Sequence, residues 1–341
     1  MKKLLAAILA AAVLPALAPV AQAQSLDDLF RKANPSVVVV RAKGRDVSAG
    51  GVTRFTETGS GVLVSSGGRV MTASHVVNAM DEITVESLGG ESVRAKIVSS
   101  DSEADVSLLQ LERVPASMRA AKVADSSTVK VGDQVMIIGA PYGLAHSMSA
   151  GWISARWPPN TIFRDMPLAE FFQTTATINT GNSGGPMFNM AGEVIGIVSQ
   201  NISKSGGSEG LGFVVTSNTA QKLLIERKVF WSALQGVMLS GDLAAIFNIP
   251  APAAFLVKTV AQGSMAWDMG LLGGDRLVTI GGKEIAVGGD TILSVDGIAP
   301  GSDENIEKIR NRLAAAPPGT PFKVTVLRAG KVIELTGKSP Q

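Results

Sequence analysis

The chain contains no cysteine among its 341 residues. This absence excludes disulfide bonds, thiolate metal sites and a cysteine nucleophile. The fold must therefore be stabilised by its hydrophobic cores, and a chain of this length, divided into two domains, can bury enough apolar surface to do so.

Histidine is almost as scarce, because only His75 and His146 are present. They lie far apart in the sequence and form no His-x-x-x-His spacing, so nothing predicts a catalytic metal or another cofactor. His75 follows an apolar, strand-like run that could hold its ring rigidly, whereas His146 lies in a segment typical of a loop.

The first 23 residues predict a secretory signal peptide. Lys2 and Lys3 precede an apolar run over residues 4–20, and the small-residue exit Ala21–Ala23 fits a cleavage site. We expect the mature chain to begin near Gln24 and to be exported, with the periplasm as the expected compartment.

An uncleaved membrane anchor is the alternative for this segment, but Pro15 and Pro19 interrupt the apolar run. Removal of the two leader lysines takes the net charge from +2 to zero. A neutral chain without a basic cluster argues against nucleic acid as the main partner.

Residues 181–186 read Gly-Asn-Ser-Gly-Gly-Pro and offer a nucleophile. A tight glycine turn can present backbone N–H groups to an oxyanion without Cβ clashes, so Ser183 is the candidate nucleophile. An ordinary turn is the alternative, since the chain has 37 glycines.

His75 and Asp105 complete a possible triad with Ser183. Asp105 opens the apolar segment Val106–Leu111, where its carboxylate could point inward and orient the imidazole. Asp101 is a rival four residues earlier. The order His, Asp, Ser, with spacings of 30 and 78 residues, is one of the known triad arrangements.

Short β-rich runs separated by Gly, Ser and Asn turns extend from Ser36 to about Ser217 and predict a pair of all-β barrels. Ser25 begins a capping box for a short helix that ends before Pro35. A second helix is expected over Thr219–Lys228 behind an Asn218 cap, followed by a linker near Val229–Leu234. The expected strands are Val37–Arg41, Gly61–Ser65, Glu82–Glu86, Ala95–Ser99, Gln134–Gly139, Glu193–Ser199 and Gly212–Val215.

The remaining residues, 235–341, predict an α+β domain with a helix over Ser302–Ala314. The segment Gly273–Gly282 recurs fifteen residues later as Gly288–Gly297. The second copy is expected to be the regular one, because a helix follows it, and the first to be an inserted pair of strands. Chance similarity is the alternative. The expected strands are Ala254–Val257, Thr291–Val295 and Pro321–Leu327.

These motifs together resemble the HtrA (Deg) family of serine proteases, in which a chymotrypsin-like double β-barrel precedes a PDZ domain. The resemblance divides the chain into a signal peptide (1–23), a trypsin-like protease domain (24–230) and a PDZ domain with an inserted Gly-Gly-Asp repeat (235–341). The matching stretches are Thr58–Val62, Met71–Val77, Asp105–Leu109, Ser149–Ala155, Asn179–Pro186 and Gly210–Val215.

The resemblance implies His75 as general base, Asp105 as its partner and Ser183 as nucleophile, with the N–H groups of Gly181 and Ser183 forming the oxyanion hole. It also implies an ATP-independent endopeptidase of protein quality control and stress response, acting on unfolded or damaged proteins, and a trimer. The PDZ domain would bind C-terminal peptides, with a weak match for its carboxylate loop at residues 235–238.

The same pattern implies where specificity and regulation lie. Thr177, six residues before the nucleophile, would floor the S1 pocket, and Ile178 and Val198 would form an apolar wall. We therefore expect cleavage after small or medium aliphatic residues. Polar loops at Lys43–Thr58 and Ile202–Glu209 could gate the site.

A second function class stays open from the sequence alone. A chaperone or peptide-binding module could keep the protease fold with little or no proteolytic activity, if the oxyanion turn were not in a working conformation. The sequence contains the reactive groups but does not give their geometry.

Overall fold

The computed structural model describes residues 25–204, 207–227 and 233–339. The predicted signal peptide and most of the predicted linker lie outside these residues. Within the described ranges, no helix is both long enough and apolar enough to cross a membrane.

The chain opens with helix α1, Leu26–Ala33, whose first turn is capped by Ser25. The Ser25 hydroxyl accepts a hydrogen bond from the Asp28 N–H at 3.1 Å, as the capping box predicts. Leu29 is fully buried, and the Lys32 ammonium donates to the Ala191 carbonyl at 2.9 Å. Helix α1 thus contacts a segment of the protease domain that lies 159 residues further along the chain.

The first six strands close into a barrel with the order β1-β2-β3-β6-β5-β4. All neighbouring strands are antiparallel. Because the barrel is closed, each strand is paired along both of its edges. The strands are β1 Val37–Ser48, β2 Gly51–Leu63, β3 Arg69–Thr72, β4 Glu82–Glu86, β5 Ser92–Asp101 and β6 Val106–Leu111, and the short helix α2, Ser74–Val77, follows β3.

A second barrel of six strands has the order β10-β11-β12-β9-β8-β7. The two closed barrels confirm the predicted chymotrypsin-like, mainly β fold. The strands are β7 Gln134–Gly139, β8 Ser147–Trp157, β9 Phe171–Thr174, β10 Pro186–Phe188, β11 Val194–Asn201 and β12 Gly212–Thr216, and helix α3, Ser217–Gln221, continues into a π-helical turn at Lys222–Glu226.

The predicted start of that helix needs a small correction. Thr216, not Asn218, is the N-cap residue, and Asn218 lies inside the first turn. Its side-chain oxygen instead accepts from the Ser126 N–H at 3.1 Å, and its side-chain nitrogen donates to Asp125 at 2.7 Å. Asn218 therefore caps a neighbouring loop rather than its own helix.

One hydrophobic cluster joins the two barrels. Val62, Met71 and Leu108 of the first barrel belong to the same buried cluster as Phe171 and Phe213 of the second. The two phenylalanine rings meet edge to face, with centroids 6.2 Å apart. This shared core holds the barrels side by side, so groups from each can meet at the seam.

The expected polar loop at Lys43–Thr58 is not a loop. These residues extend β1 and β2 into one long hairpin, in register from Val37–Val62 to Ser48–Gly51. Its tight turn relies on Gly51, whose φ is +103°. On the β2 side, residues 52–56 are all exposed, so this strand lacks the alternation of buried and exposed positions from which a strand is recognised.

The C-terminal domain is built on a five-stranded sheet of order β13-β14-β17-β18-β19, with a separate hairpin of β15 and β16. Its strands are β13 Leu234–Ser240, β14 Ala253–Val260, β15 Arg276–Ile280, β16 Lys283–Val287, β17 Thr291–Val295, β18 Pro321–Arg328 and β19 Lys331–Lys338, and its helices are α4 Gly241–Ile246, α5 Met265–Asp268 and α6 Asp303–Ala315.

The two Gly-Gly-Asp segments take different roles. The first leads into the β15–β16 hairpin, which packs outside the sheet. In the second, the fully buried Asp290 accepts hydrogen bonds from the Arg328 guanidinium at 2.6 and 2.7 Å and from the Leu272 N–H at 2.9 Å. The second copy is therefore the one tied into the sheet.

The expected carboxylate loop at residues 235–238 is instead part of β13. This edge strand pairs only with β14, with a bulge between Gln235 and Gly236. A Cβ on Gly236 would lie 2.1 Å from the Leu256 carbonyl oxygen, so only glycine fits there. The weak sequence match was therefore wrong about local structure.

Candidate active site

His75 is placed at the seam by helix α2, whose Val76 and Val77 are fully buried in the first barrel. The imidazole Nδ1 lies 2.9 and 3.0 Å from the two carboxylate oxygens of Asp105. The backbone N–H of His75 also donates to Asp105 at 2.9 Å. Nδ1 thus carries a proton for Asp105, which leaves Nε2 of the neutral ring as an acceptor.

Asp105 is held from several directions just before β6. Its backbone is left-handed, with φ at +53°, and its side chain is 8% exposed. The Ser199 hydroxyl, from the second barrel, donates to the carboxylate oxygen Oδ2. The rival Asp101 instead accepts from the Glu103 N–H at 2.9 Å and closes a turn. The structure thus brings Asp105, and not Asp101, to the imidazole.

Ser183 lies in a turn that only glycines allow. Gly181 and Gly184 have φ values of +100° and +83°, and a Cβ on either would approach backbone or side-chain oxygens within 2.3 Å. The Ser183 hydroxyl donates to the Ser199 carbonyl at 3.2 Å. It must therefore rotate away from that carbonyl to reach the His75 ring.

The N–H groups of Gly181 and Ser183 have no protein acceptor in the described ranges. The Thr180 carbonyl accepts from the Tyr142 N–H at 2.8 Å. Because a trans peptide points its C=O and N–H in opposite directions, this bond turns the Gly181 N–H away from Tyr142. Both residues line the same cleft as His75. The assignment of their N–H groups to an oxyanion hole stays a prediction.

Ser60 ties the nucleophile turn to the first barrel. Its hydroxyl donates to the Gly181 carbonyl at 2.7 Å and accepts from the Ala140 N–H at 2.9 Å. Its backbone N–H donates to the Ser183 carbonyl at 2.8 Å. Ser60 is fully buried, so these bonds are shielded from water.

Sequence reasoning missed Ser60 and Ser199 as supporting residues. Ser60 lies in the family-matching stretch Thr58–Val62, where its position between two glycines was the sequence feature that could have indicated a supporting role. For Ser199 the sequence offered only a weak indication, a small polar residue at the end of an apolar strand. Each acts through a contact to the other barrel, which spacing along the chain does not reveal.

The cleft around these groups has a volume of about 490 Å³. Of the predicted specificity residues, Ile178 lines it, whereas the exposed Thr177 and the fully buried Val198 lie beside it. The Thr177 carbonyl accepts from the Ser149 hydroxyl at 2.9 Å. The assignment of an S1 pocket to these three residues stays a prediction.

The pKa of His75 reflects opposing influences. Burial lowers it, but the hydrogen bond and negative charge of Asp105 raise it, and the nearby charge of Glu57 adds to that effect. The net pKa lies above the usual 6.5. Glu57 lines the cleft but was not identified from the sequence.

The second histidine lies away from this cleft. His146 Nδ1 is 2.7 Å from the Asn34 side-chain oxygen, and burial lowers the pKa of its ring. Across residues 25–204, 207–227 and 233–339, no group of three or more His, Asp or Glu side chains is arranged to hold a metal ion.

Comparisons with known proteins identify the family of the chain. A family profile described as a trypsin-like peptidase domain matches residues 59–197. The periplasmic pH-dependent serine endoprotease DegQ of Escherichia coli (strain K12) is 30% identical over 335 residues, covering 91% of this chain and 69% of that protein. The chain belongs to the HtrA (Deg) family of serine proteases.

Two further HtrA relatives support the same assignment. A probable periplasmic serine endoprotease DegP-like from Pseudomonas savastanoi pv. phaseolicola (strain 1448A / Race 6) is 35% identical over 278 residues, with 78% of this chain and 57% of that protein covered. The solved structure of the HtrA-type protease AlgW with decapeptide is 26% identical, with a TM-score of 0.53 and 93% and 98% of the two chains covered. This HtrA chain therefore spans between about half and about two thirds of the length of the curated relatives.

The two candidate carboxylates can be separated by mutation. We expect Asp105→Asn to lower kcat/KM for a peptide substrate by about 10⁴-fold, because the asparagine amide would favour the wrong imidazole tautomer. Asp101→Asn should have little effect, since Asp101 contacts a turn. Steady-state kinetics of both variants would check this, and a larger loss in Asp101→Asn would show that the carboxylate is misassigned.

Glu57 should contribute to the acid limit of activity, together with the larger influence of Asp105. His75 must be neutral to act as a base, so kcat/KM should rise with pH through a pKa above 6.5. Glu57→Gln removes one influence that raises this pKa, and the acid limb should move to lower pH. Glu82→Gln, a change on the same barrel outside the cleft, is the control. An unmoved or upward-shifted limb in Glu57→Gln would contradict the electrostatic role.

Proposed function

We propose that this chain is an exported serine endopeptidase that hydrolyses peptide bonds of unfolded or damaged proteins without ATP. The observation that carries the proposal is the His75–Asp105 pair beside a glycine turn with Ser183 and two unused N–H donors. A nucleophile, an oriented base and oxyanion donors in one cleft are the groups that acyl transfer requires.

The reaction begins when the Ser183 hydroxyl rotates toward Nε2 of His75. His75 takes its proton as Ser183 Oγ attacks the substrate carbonyl, and the N–H groups of Gly181 and Ser183 stabilise the oxyanion. Protonated His75 then gives the proton to the leaving amine, and the C–N bond breaks. A water molecule, deprotonated by His75, hydrolyses the acyl-enzyme and restores the Ser183 hydroxyl.

Asp105 acts in each step by holding the imidazole and stabilising its positive charge. Each oxyanion donor is worth about 3 kcal/mol of transition-state stabilisation. The glycine turn matters for this reason, because a side chain at Gly181 would clash with the Ala140 carbonyl oxygen and push the donor out of position.

The substrate is proposed to be an extended polypeptide with a small or medium aliphatic residue before the scissile bond. Ile178 gives the cleft an apolar wall, and Thr177 beside it has no charge that could pair with lysine or arginine. Unfolded or damaged chains present extended segments throughout their length, whereas folded proteins present few, so unfolded or damaged chains are the expected substrates.

The proposed compartment is the periplasm. DegQ and the DegP-like relative are both named periplasmic. The first 23 residues have the composition of a signal peptide. Their removal would take the formal net charge of the chain from +2 to zero. A trimer is proposed from the family resemblance alone.

The C-terminal domain is proposed to be a PDZ domain that captures peptides. An apolar cavity of about 430 Å³ lies between β13 and α6, with Met238, Ile309 and Leu313 among its lining residues. β13 has one unpaired edge, where an extended peptide could add as a further strand. The β15–β16 hairpin contributes no residue to this cavity, so the insertion leaves it open.

Ser183→Ala tests the enzymatic proposal. The change removes the nucleophile but little packing, so hydrolysis of an unfolded casein should fall by at least about four orders of magnitude while the circular dichroism and Tm stay close to those of wild type. Turnover at the wild-type rate would exclude Ser183 as the nucleophile and with it the serine-protease proposal.

Peptide capture can be measured on the full chain carrying Ser183→Ala, which prevents cleavage. A fluorescent peptide with an apolar C-terminus should bind saturably, and Met238→Glu should weaken the anisotropy signal by at least about tenfold, because it places a charge in the apolar cavity. Val332→Glu, on an exposed site of the same sheet, is the matched control. Equal affinity in both variants would argue against this groove as the site.

A further inference from the structure

A residue of the C-terminal domain lines the catalytic cleft. Gln235, the second residue of β13, borders the same cavity as His75 and Ser183. No other residue that lines this cavity comes from beyond the protease barrels, within the part of the chain that the structure describes. The cleft is therefore composed of two domains, not one.

The Gln235 side chain is oriented by its neighbour on β14. Gln235 pairs with Thr259, and the Thr259 hydroxyl donates to its side-chain oxygen Oε1 at 3.3 Å. The bulge between Gln235 and Gly236 interrupts the alternation of β13 at this point. Among the described residues no acceptor takes a hydrogen bond from Gln235 Nε2, which leaves that amide group available to a ligand.

A polar clamp holds this end of the sheet against the first barrel. The Arg45 guanidinium, on the β1–β2 hairpin, donates to the Val260 carbonyl at 2.9 Å and pairs with Asp81 at 2.8 Å. Asp81 in turn accepts from the Gln262 N–H at 2.7 Å. The guanidinium also lies 5.2 Å from the centre of the Trp267 ring.

The clamp acts directly on the strand pair that carries Gln235. Val260, which Arg45 binds, is the β14 partner of Leu234, one residue before Gln235. The side chains of Arg45 and Asp81 are only 25% and 18% exposed, so the pair is partly shielded from solvent. A second ion pair joins the C-terminal domain to the protease domain, between Arg310 of α6 and Glu103 at 2.8 Å.

We propose that Gln235 is a substrate-binding residue whose side-chain amide donates to a main-chain carbonyl of an extended polypeptide lying across the cleft. The C-terminal domain then completes the substrate site, with Arg45 and Asp81 as positioning residues. This inference rests on the proposed endopeptidase function. A main-chain contact suits unfolded chains, because every residue offers a carbonyl regardless of its side chain.

The contact predicts a dependence on substrate length. A short peptide that only spans the scissile bond does not reach Gln235, whereas a longer one gains a hydrogen bond. Loss of one neutral hydrogen bond should lower kcat/KM for the longer peptide by about threefold to tenfold. The loss should appear in KM, because a hydrogen bond to a main-chain carbonyl that does not react is made alike in the ground and transition states.

The experiment uses the full chain and quenched-fluorescence peptides that share one scissile sequence. One peptide is short, and others are lengthened by four residues toward the N-terminus or toward the C-terminus. Wild type should gain in kcat/KM with at least one extension, and Gln235→Ala should lose that gain while cleaving the short peptide normally. Gln262→Ala is the matched control, since it keeps the N–H that Asp81 binds.

Arg45→Gln tests the positioning role of Arg45 separately from the contact made by Gln235. It removes the clamp and should reduce the same extension gain, while the double variant Arg45→Gln with Gln235→Ala should lose little more than either alone. Equal extension gains in wild type and Gln235→Ala would overturn the inference while the short peptide is still hydrolysed. No hydrolysis of any peptide by wild type would instead refute the endopeptidase proposal on which it rests.

Discussion

The hydrogen bonds of Ser60 are the constraint on which the rest of the site depends. His75 and Asp105 belong to the first barrel, whereas Ser183 and its glycine turn belong to the second. Ser60, on β2, binds the carbonyls of both Gly181 and Ser183 across the seam. With Ser199 returning a bond to Asp105, the two halves are joined in both directions.

The same logic extends to the C-terminal domain. The long hairpin of β1 and β2 carries Ser60 near one end and Arg45 near its outer part, so one element contacts the nucleophile turn and the C-terminal sheet. The ion pair of Lys258 with Asp46, at 2.8 Å, adds to that contact but is largely exposed and contributes less. The hairpin therefore connects the catalytic cleft of the protease domain with the C-terminal sheet.

Much of the architecture could be predicted from the sequence, because hydrophobic alternation and glycine punctuation are local signals. The strands Glu82–Glu86, Gln134–Gly139 and Thr291–Val295 have the predicted bounds. The outer half of the β1–β2 hairpin was missed, since residues 52–56 of β2 are all exposed and are stabilised by their pairing with β1. Residues 235–238, which the family resemblance matched weakly to a carboxylate loop, are part of strand β13.

The candidate site was likewise predictable only where its residues lie in local motifs. His75, Asp105 and Ser183 lie in motifs that spacing and residue type reveal, so their convergence was predicted and the geometry agrees with it. Glu57, Ser60, Ser199 and Gln235 contribute through contacts between elements far apart in the sequence, and the local pattern around each is too weak to reveal those contacts. Their roles required the three-dimensional arrangement of two barrels and a third sheet.

The central claim is that Ser183 is an activated nucleophile beside a formed oxyanion hole. Labelling with a fluorophosphonate tests it most directly, because the reagent needs both an attacking serine and donors for its phosphoryl oxygen. The full chain should acquire one phosphonyl group, located by peptide mass spectrometry on Ser183. No labelling in active-site titration, or labelling at another serine, would contradict the account.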